Sequence, residues 1–137
     1  MEITLKKETL QNILIVEDMD YRIEWFKEFF KDIPNVVYVK KAGPGAEQVR
    51  TVKFDLIFLD HDLEPEHYQS AIMSREIPED ATTGLYVAKQ LLGSPNAETW
   101  VIIHSMNPVG AANMEAVRPL NTVQFPFSML INGLKLV

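Results

Sequence analysis

The chain is 137 residues long, 47% hydrophobic and 23% charged, with no cysteine and a formal net charge of −6. That length suits one domain over residues 1–137 with a single core, and the composition excludes a disordered or low-complexity chain. Without cysteine there is neither a disulfide framework nor a thiolate metal site, and the acidic balance excludes duplex DNA as an expected partner, because such binding relies on Lys and Arg neutralising phosphates.

The opening MEITLKKETLQ has charges but no apolar segment followed by a small-residue cleavage site, so it does not read as a secretory signal. No apolar run approaches the roughly 18 residues of a membrane span; no membrane contact is expected, and the expected location is cytoplasmic. Residues 1–10 can add a small edge strand. Asn12 to Glu17 (NILIVE) is a short apolar run ending in acids, the pattern of a strand buried on both faces. From Asp20 to Lys31 the residues Ile23, Phe26, Phe29 and Phe30 recur at helical spacing, with Asp20 as the expected N-cap and Pro34 beyond the end. Val36 to Val39 reads as a second strand, Gly43 to Val52 as a helix opened by Gly-Pro-Gly, and Phe54 to Asp60 (FDLIFLD) as the clearest buried strand.

The regularity then stops until Thr82 and Thr83, which are placed to cap a helix carrying Leu85, Val87, Ala88, Leu91 and Leu92. The intervening stretch, 64–81, reads as an inserted loop, and loops that long inside a compact domain are usually functional or partly helical. Trp100 to His104 is a further strand, Asn107 or Pro108 starts a helix running to about Arg118, and Thr122 to Phe125 is a weaker strand before a C-terminal helical segment. This alternation predicts an α/β fold, a doubly wound parallel sheet with helices on both faces. Such sheets bind ligands outside the carboxyl ends of their strands.

Three strand ends should therefore share one crevice: Glu17 and Asp18; Asp60, His61 and Asp62; His104 and Ser105. Carboxylates at close quarters repel unless a cation or proton intervenes, so the group reads as a site for a hard divalent metal. The two imidazoles widen the choice toward manganese, iron or zinc. For any one residue there is a plainer account: an acid marks where solvent begins, and a strand-end histidine can be a hydrogen-bonded structural group. His67 reads as a solvated loop residue. Arg75 in the same loop could reach a phosphate, and Ser105 either donates to a phosphoryl oxygen or caps the next turn.

The runs ILIVEDMD, FDLIFLDHDLEP, TTGLYVAKQL and VIIHSMN together resemble the receiver domain of two-component response regulators over most of the chain. The resemblance implies a flavodoxin-like five-stranded parallel sheet in the order 2-1-3-4-5, a magnesium ion on Glu17 and Asp18, Asp60 at the phosphorylated position, and Ser105 at the switch position. Receivers usually end the fifth strand in Lys-Pro-Phe, whereas this chain reads Phe125-Pro126-Phe127, so the phosphate-pairing lysine is missing. LDHDL together with HSMN is similar to the cyclic-phosphate-processing receiver group, for which a catalytic role is implied, with Asp18, Asp60, His61, Asp62 and His104 in the site.

The expected function is a metal-dependent phosphodiesterase that opens a cyclic phosphate on a small nucleotide or an RNA end. Glu17, Asp18, Asp60 and Asp62 are the expected ligands of Mg2+ or Mn2+, with Zn2+ the third candidate. His61 and His104 are the expected acid and base, in an order left open, since imidazole titrates near neutral pH. Ser105, Asn107 and Arg75 would orient the phosphate, and residues 64–81 would close as a lid. The alternative is a non-enzymatic receiver-like signalling or protein-interaction module, with Asp60 still open to phosphorylation, and an exposed helix face leaves a homodimer open. A structural domain with an idle acidic edge is the third reading.

Overall fold

The computed structural model describes residues 1–63 and 82–137. The inserted stretch 64–81, and with it His67, Arg75 and the expected lid, lies outside the described residues. In chain order the elements are β1 (Ile3–Leu5), β2 (Asn12–Val16), α1 (Asp20–Phe29), β3 (Asn35–Val39), α2 (Ala42–Thr51), β4 (Leu56–Leu59), α3 (Gly84–Leu91), β5 (Val101–Ile103), α4 (Pro108–Val117), β6 (Thr122–Gln124), α5 (Phe127–Gly133) and β7 (Leu134–Leu136).

Five strands form one all-parallel sheet in the order β3-β2-β4-β5-β6, which is the receiver topology and the order expected. The central strands are apolar throughout because both of their faces are covered. Along each strand successive side chains point to opposite faces. Leu14, Val16, Ile57, Leu59, Val101 and Ile103 meet α2, α3 and α4 on one side. Ile13, Ile15, Leu56, Phe58 and Ile102 meet Phe26 and Phe30 of the α1 region and Leu130 of α5 on the other. With Ile13, Leu14, Ile15 and Val16 all fully buried, β2 is the axis around which the two cores are laid.

Two expectations at the ends of elements change. Asp20 is not the N-cap of α1: that position is Met19, in extended conformation and without a side-chain cap, while the Asp20 carboxylate pairs with Lys40 at 2.7 Å. The C-terminal segment is not helical to its end, since Leu134–Leu136 leaves α5 as a strand and pairs in parallel with β1, making a separate two-stranded sheet. Residues 1–10 thus find their partner in that strand rather than at the edge of the main sheet.

At the amino end of the sheet the loop after α3 is held by a buried polar network. Asn96, fully buried, donates from Nδ2 to the carbonyls of Val49 (2.8 Å) and Val52 (2.6 Å), and its Oδ1 accepts from the Phe54 N–H at 2.8 Å. Arg118, also buried, donates to the carbonyls of Asn96, Ala97, Thr99 and Asn121 and to the Thr122 hydroxyl. Burial pushes its pKa down. Among the described residues no helix is long and apolar enough to cross a membrane.

Candidate functional site

The residue following β2, Glu17, is fully buried and its carboxylate is saturated with donors. Oε2 accepts from the backbone N–H groups of Asp18 (2.9 Å) and Met19 (3.1 Å), so this side chain closes the turn into α1. Oε1 accepts from His104 Nε2 at 3.0 Å and from Arg22 Nη1 at 3.4 Å. Burial pushes the Glu17 pKa up, but the His104 hydrogen bond and charge, the Met19 N–H and the Arg22 charge outweigh it and bring it to about 2.

Asp60, the residue after β4, is buried in the same place with the opposite result. Its Oδ1 accepts from the His61 N–H at 2.8 Å, and its Oδ2 lies 3.6 Å from Arg22 Nη1. Burial, opposed by His104 and reinforced by the Glu17 carboxylate, raises its pKa to about 6. The strand end is fixed by Gly84, whose N–H donates to the His61 carbonyl at 2.8 Å. A Cβ at that position would stand 1.9 Å from the Asp60 carbonyl oxygen, so only glycine allows α3 to start there.

The two histidines occupy different surroundings. His104, after β5, is fully buried, with Phe26 edge-on at 5.3 Å and Phe127 at 6.5 Å between ring centres. Its Nδ1 is buried with no hydrogen-bond partner among the described residues. The His61 side chain is 17% exposed and contacts Asp62 Oδ1 through Nδ1 at 3.0 Å. Asn107 caps α4 by accepting the Gly110 N–H at 3.0 Å, and its Nδ2 donates over a long 3.4 Å to Asp62 Oδ1. Gly110 lets the His61 ring lie on the start of α4, since a Cβ there would be 2.4 Å from His61 Cγ. Ser105 is buried and its Oγ accepts from the Asn107 N–H at 3.0 Å, a turn-capping bond. A cleft of about 270 Å³ opens beside it, lined by Ser105, Met106, Pro108, Gln124, Pro126 and Met129 among others.

The fold thus gathers Glu17, Asp60 and His104, which each offer one metal-ligating atom within 4.8 Å of the others. Asp18 and Asp62, expected as ligands with them, lie outside this cluster. Asp62 is 70% exposed and turned to His61, and Asp18 is half-buried beside Glu17. His104, expected as an acid or base beside carboxylate ligands, stands among the candidate ligands itself.

Arg22 is the residue that sequence reasoning missed. Its Nη1 faces both buried carboxylates, its Nε donates to the Tyr21 hydroxyl at 3.1 Å, and its guanidinium lies 5.2 Å from the Phe127 ring centre. The signal was present in α1: Arg22 stands four residues before the buried Phe26, on the apolar stripe, where an unpaired charge would be expensive.

A family model described as the cyclic-phosphate processing receiver domain matches residues 12–118. A CheY-like response regulator receiver domain from Methylobacillus flagellatus is similar with a TM-score of 0.62 and 22% identity, covering 90% of this chain and 92% of that one. The phosphorylated cyanobacterial phytochrome response regulator RcpA gives 0.64 and 19%, covering 90% and 84%. The receiver domain of the sensor histidine kinase PA1611 from Pseudomonas aeruginosa PAO1, solved with a magnesium ion coordinated in its active site cleft, gives 0.61 and 14%, covering 85% and 84%. Identities this low speak to the fold. No curated protein matches the chain in sequence.

Proposed function

The chain belongs to the cyclic-phosphate processing receiver domain family, and from that premise we propose that it is a metal-dependent phosphodiesterase that opens a cyclic phosphate on a nucleotide or an RNA end. The observation that carries the reading is the buried cluster of Glu17, Asp60 and His104 at the carboxyl ends of β2, β4 and β5. Two carboxylates and an imidazole fit a divalent cation, and the unpartnered His104 Nδ1 marks a polar group whose hydrogen bonding is incomplete. Mg2+ and Mn2+ suit the oxygens, while Mn2+ and Zn2+ suit the imidazole. Such an ion supplies positive charge opposite the non-bridging phosphate oxygens.

The chain's own groups divide the remaining work. His61 is the proton-transfer residue, because it alone of the two histidines reaches the surface. Asp62 accepts from Nδ1–H, which fixes the tautomer and leaves Nε2 to take a proton from the attacking water or return one to the leaving oxygen. Asn107 holds the His61–Asp62 pair against α4. His104, enclosed by aromatic rings, anchors Glu17 through Nε2, and would join the ligand set through a ring nitrogen that carries no proton. The cleft beside Ser105 has room for the part of the substrate beyond the phosphate.

The test is hydrolysis of 2′,3′-cyclic nucleotides and cyclic-ended RNA with Mg2+, Mn2+ or Zn2+, comparing wild type with His61→Ala. A fall of about 100-fold or more in kcat is expected for general acid–base work; equal turnover removes His61 from the chemistry, and no turnover on any substrate sinks the enzyme reading. Asp60, flanked by the His61 N–H and the Arg22 guanidinium, favours the second reading, a receiver-like signalling module phosphorylated on that carboxylate. Labelling of Asp60 by acetyl phosphate without any turnover selects it.

A further inference from the structure

We propose that Arg22 is the phosphate-binding cation of this site, supplied by the first turn of α1. The inference rests on the reading of the site as one that takes a phosphate, and it names the group that grips that phosphate. Arg22 is 9% exposed and brings a permanent positive charge to within 3.4 and 3.6 Å of the Glu17 and Asp60 carboxylates. The end of β6 offers no cation, since Phe125 is fully buried and Pro126 follows it.

The guanidinium is only partly used. Nε is bound to the Tyr21 hydroxyl and Nη1 is shared between the two carboxylates over distances too long for strong bonds, while among the described residues nothing accepts from Nη2. Phe127 at 5.2 Å and Tyr21 at 5.6 Å place two aromatic rings beside the guanidinium, a group that binds ligands through its N–H edge. A planar fork with an unfilled edge matches phosphate oxygens better than a point charge does.

The carboxylates set the conditions. The two that face the guanidinium compete with a phosphate for it and repel the anion; a divalent cation bound to them offsets their charge, and Arg22 then adds to the attraction instead of being spent on the acids. The same two carboxylates face Arg22 and belong to the metal-ligating cluster, so a cation bound there would compete with the guanidinium for them. Arg22 therefore opposes metal binding and supports phosphate binding, two effects of opposite sign from one side chain.

The experiment measures both in the whole protein by calorimetry, titrating Mn2+ first and then orthophosphate in saturating Mn2+. Wild type is expected to bind phosphate. Arg22→Gln should weaken phosphate at least tenfold with Mn2+ affinity unchanged or tighter, and Arg22→Lys should fall between. Undiminished phosphate affinity in Arg22→Gln, a parallel loss of both ligands, or no phosphate binding by wild type overturns the proposal. If Arg22→Gln does not fold, Arg22→Lys decides: weaker phosphate with Mn2+ retained supports it, and equal phosphate affinity overturns it. Phosphate binding that depends on Arg22 in a protein that turns over no cyclic phosphate would refute the phosphodiesterase reading and leave this one intact.

Discussion

Two buried arginines sit at opposite ends of the sheet and are treated in opposite ways. Arg118, at the amino end, donates to four backbone carbonyls and one hydroxyl, all neutral and all held by the turns they belong to. Arg22, at the carboxyl end, faces two carboxylates at 3.4 and 3.6 Å and a phenol, groups that titrate or bind ions. The first arrangement, although its Nε is buried with no partner among the described residues, is bound to neutral groups alone and serves as a staple; the second is looser and faces ionisable groups. Satisfaction by fixed dipoles marks structure, and mutual neutralisation of ionisable groups at a strand end marks a place where a ligand can intervene.

The sharpest way to break that contrast is to remove each arginine. Arg118→Met should strip the donor from several buried carbonyls and lower stability by about 3 to 5 kcal/mol, read as a shifted urea midpoint, without altering Mn2+ affinity. Arg22→Gln should shift the midpoint much less; equal losses would erase the distinction between the two ends.

The carboxylates sharpen it next, because their pKa shifts have opposite signs. Glu17 is lowered from 4.5 to about 2, so its contribution is present above pH 4.5 and is lost as pH falls through 2. Glu17→Gln should therefore cost about 3 kcal/mol at pH 7, narrowing toward zero near pH 2. Asp60 is raised from 3.8 to about 6, so the folded state gains as pH falls through 6 and that gain is complete below 3.8. Asp60→Asn should stabilise the protein by about 3 kcal/mol at pH 8 and by well under about 1 kcal/mol near pH 4. Denaturation curves across that range check both, and slopes of the same sign would show that the pair does not share one field.

The smallest effect on stability belongs to Gly110→Ala. Its new Cβ meets the His61 ring at 2.4 Å, and that ring, being partly exposed, can swing away at a cost of about 1 kcal/mol. Turnover should fall far more than stability. Activity that survives the substitution would show that His61 is not held in place by α4.

These contrasts also mark how far the sequence could be read. The runs NILIV, LIFL and VII announce buried parallel strands because both their faces must be apolar, and the helical spacing between them leaves few topologies. Glu17, Asp60 and His104 follow at once, since each directly succeeds one of those strands. Arg22 did not, because its role depends on which way one turn of α1 faces, and helical spacing was followed through the apolar residues alone. The pairing of β1 with β7 was equally hidden: Ile3–Leu5 and Leu134–Leu136 are too short to show a period, and their partnership spans almost the whole chain. Asp62 was grouped with the metal ligands by its place two residues after Asp60, but β4 ends at Leu59 and the chain bends at His61, so strand alternation stops there and Asp62 contacts His61.

The β1–β7 pair has a mechanical consequence. Its strands run parallel, with Ile3 opposite Leu134 and Leu5 opposite Leu136, so residue 1 leaves at one end of the ribbon and residue 137 at the other. Tension between those two points slides the strands along each other and loads their hydrogen bonds together rather than one after another. Under a pulling force this small ribbon is a shear clamp, placed to yield before the five-stranded sheet that carries the buried acids.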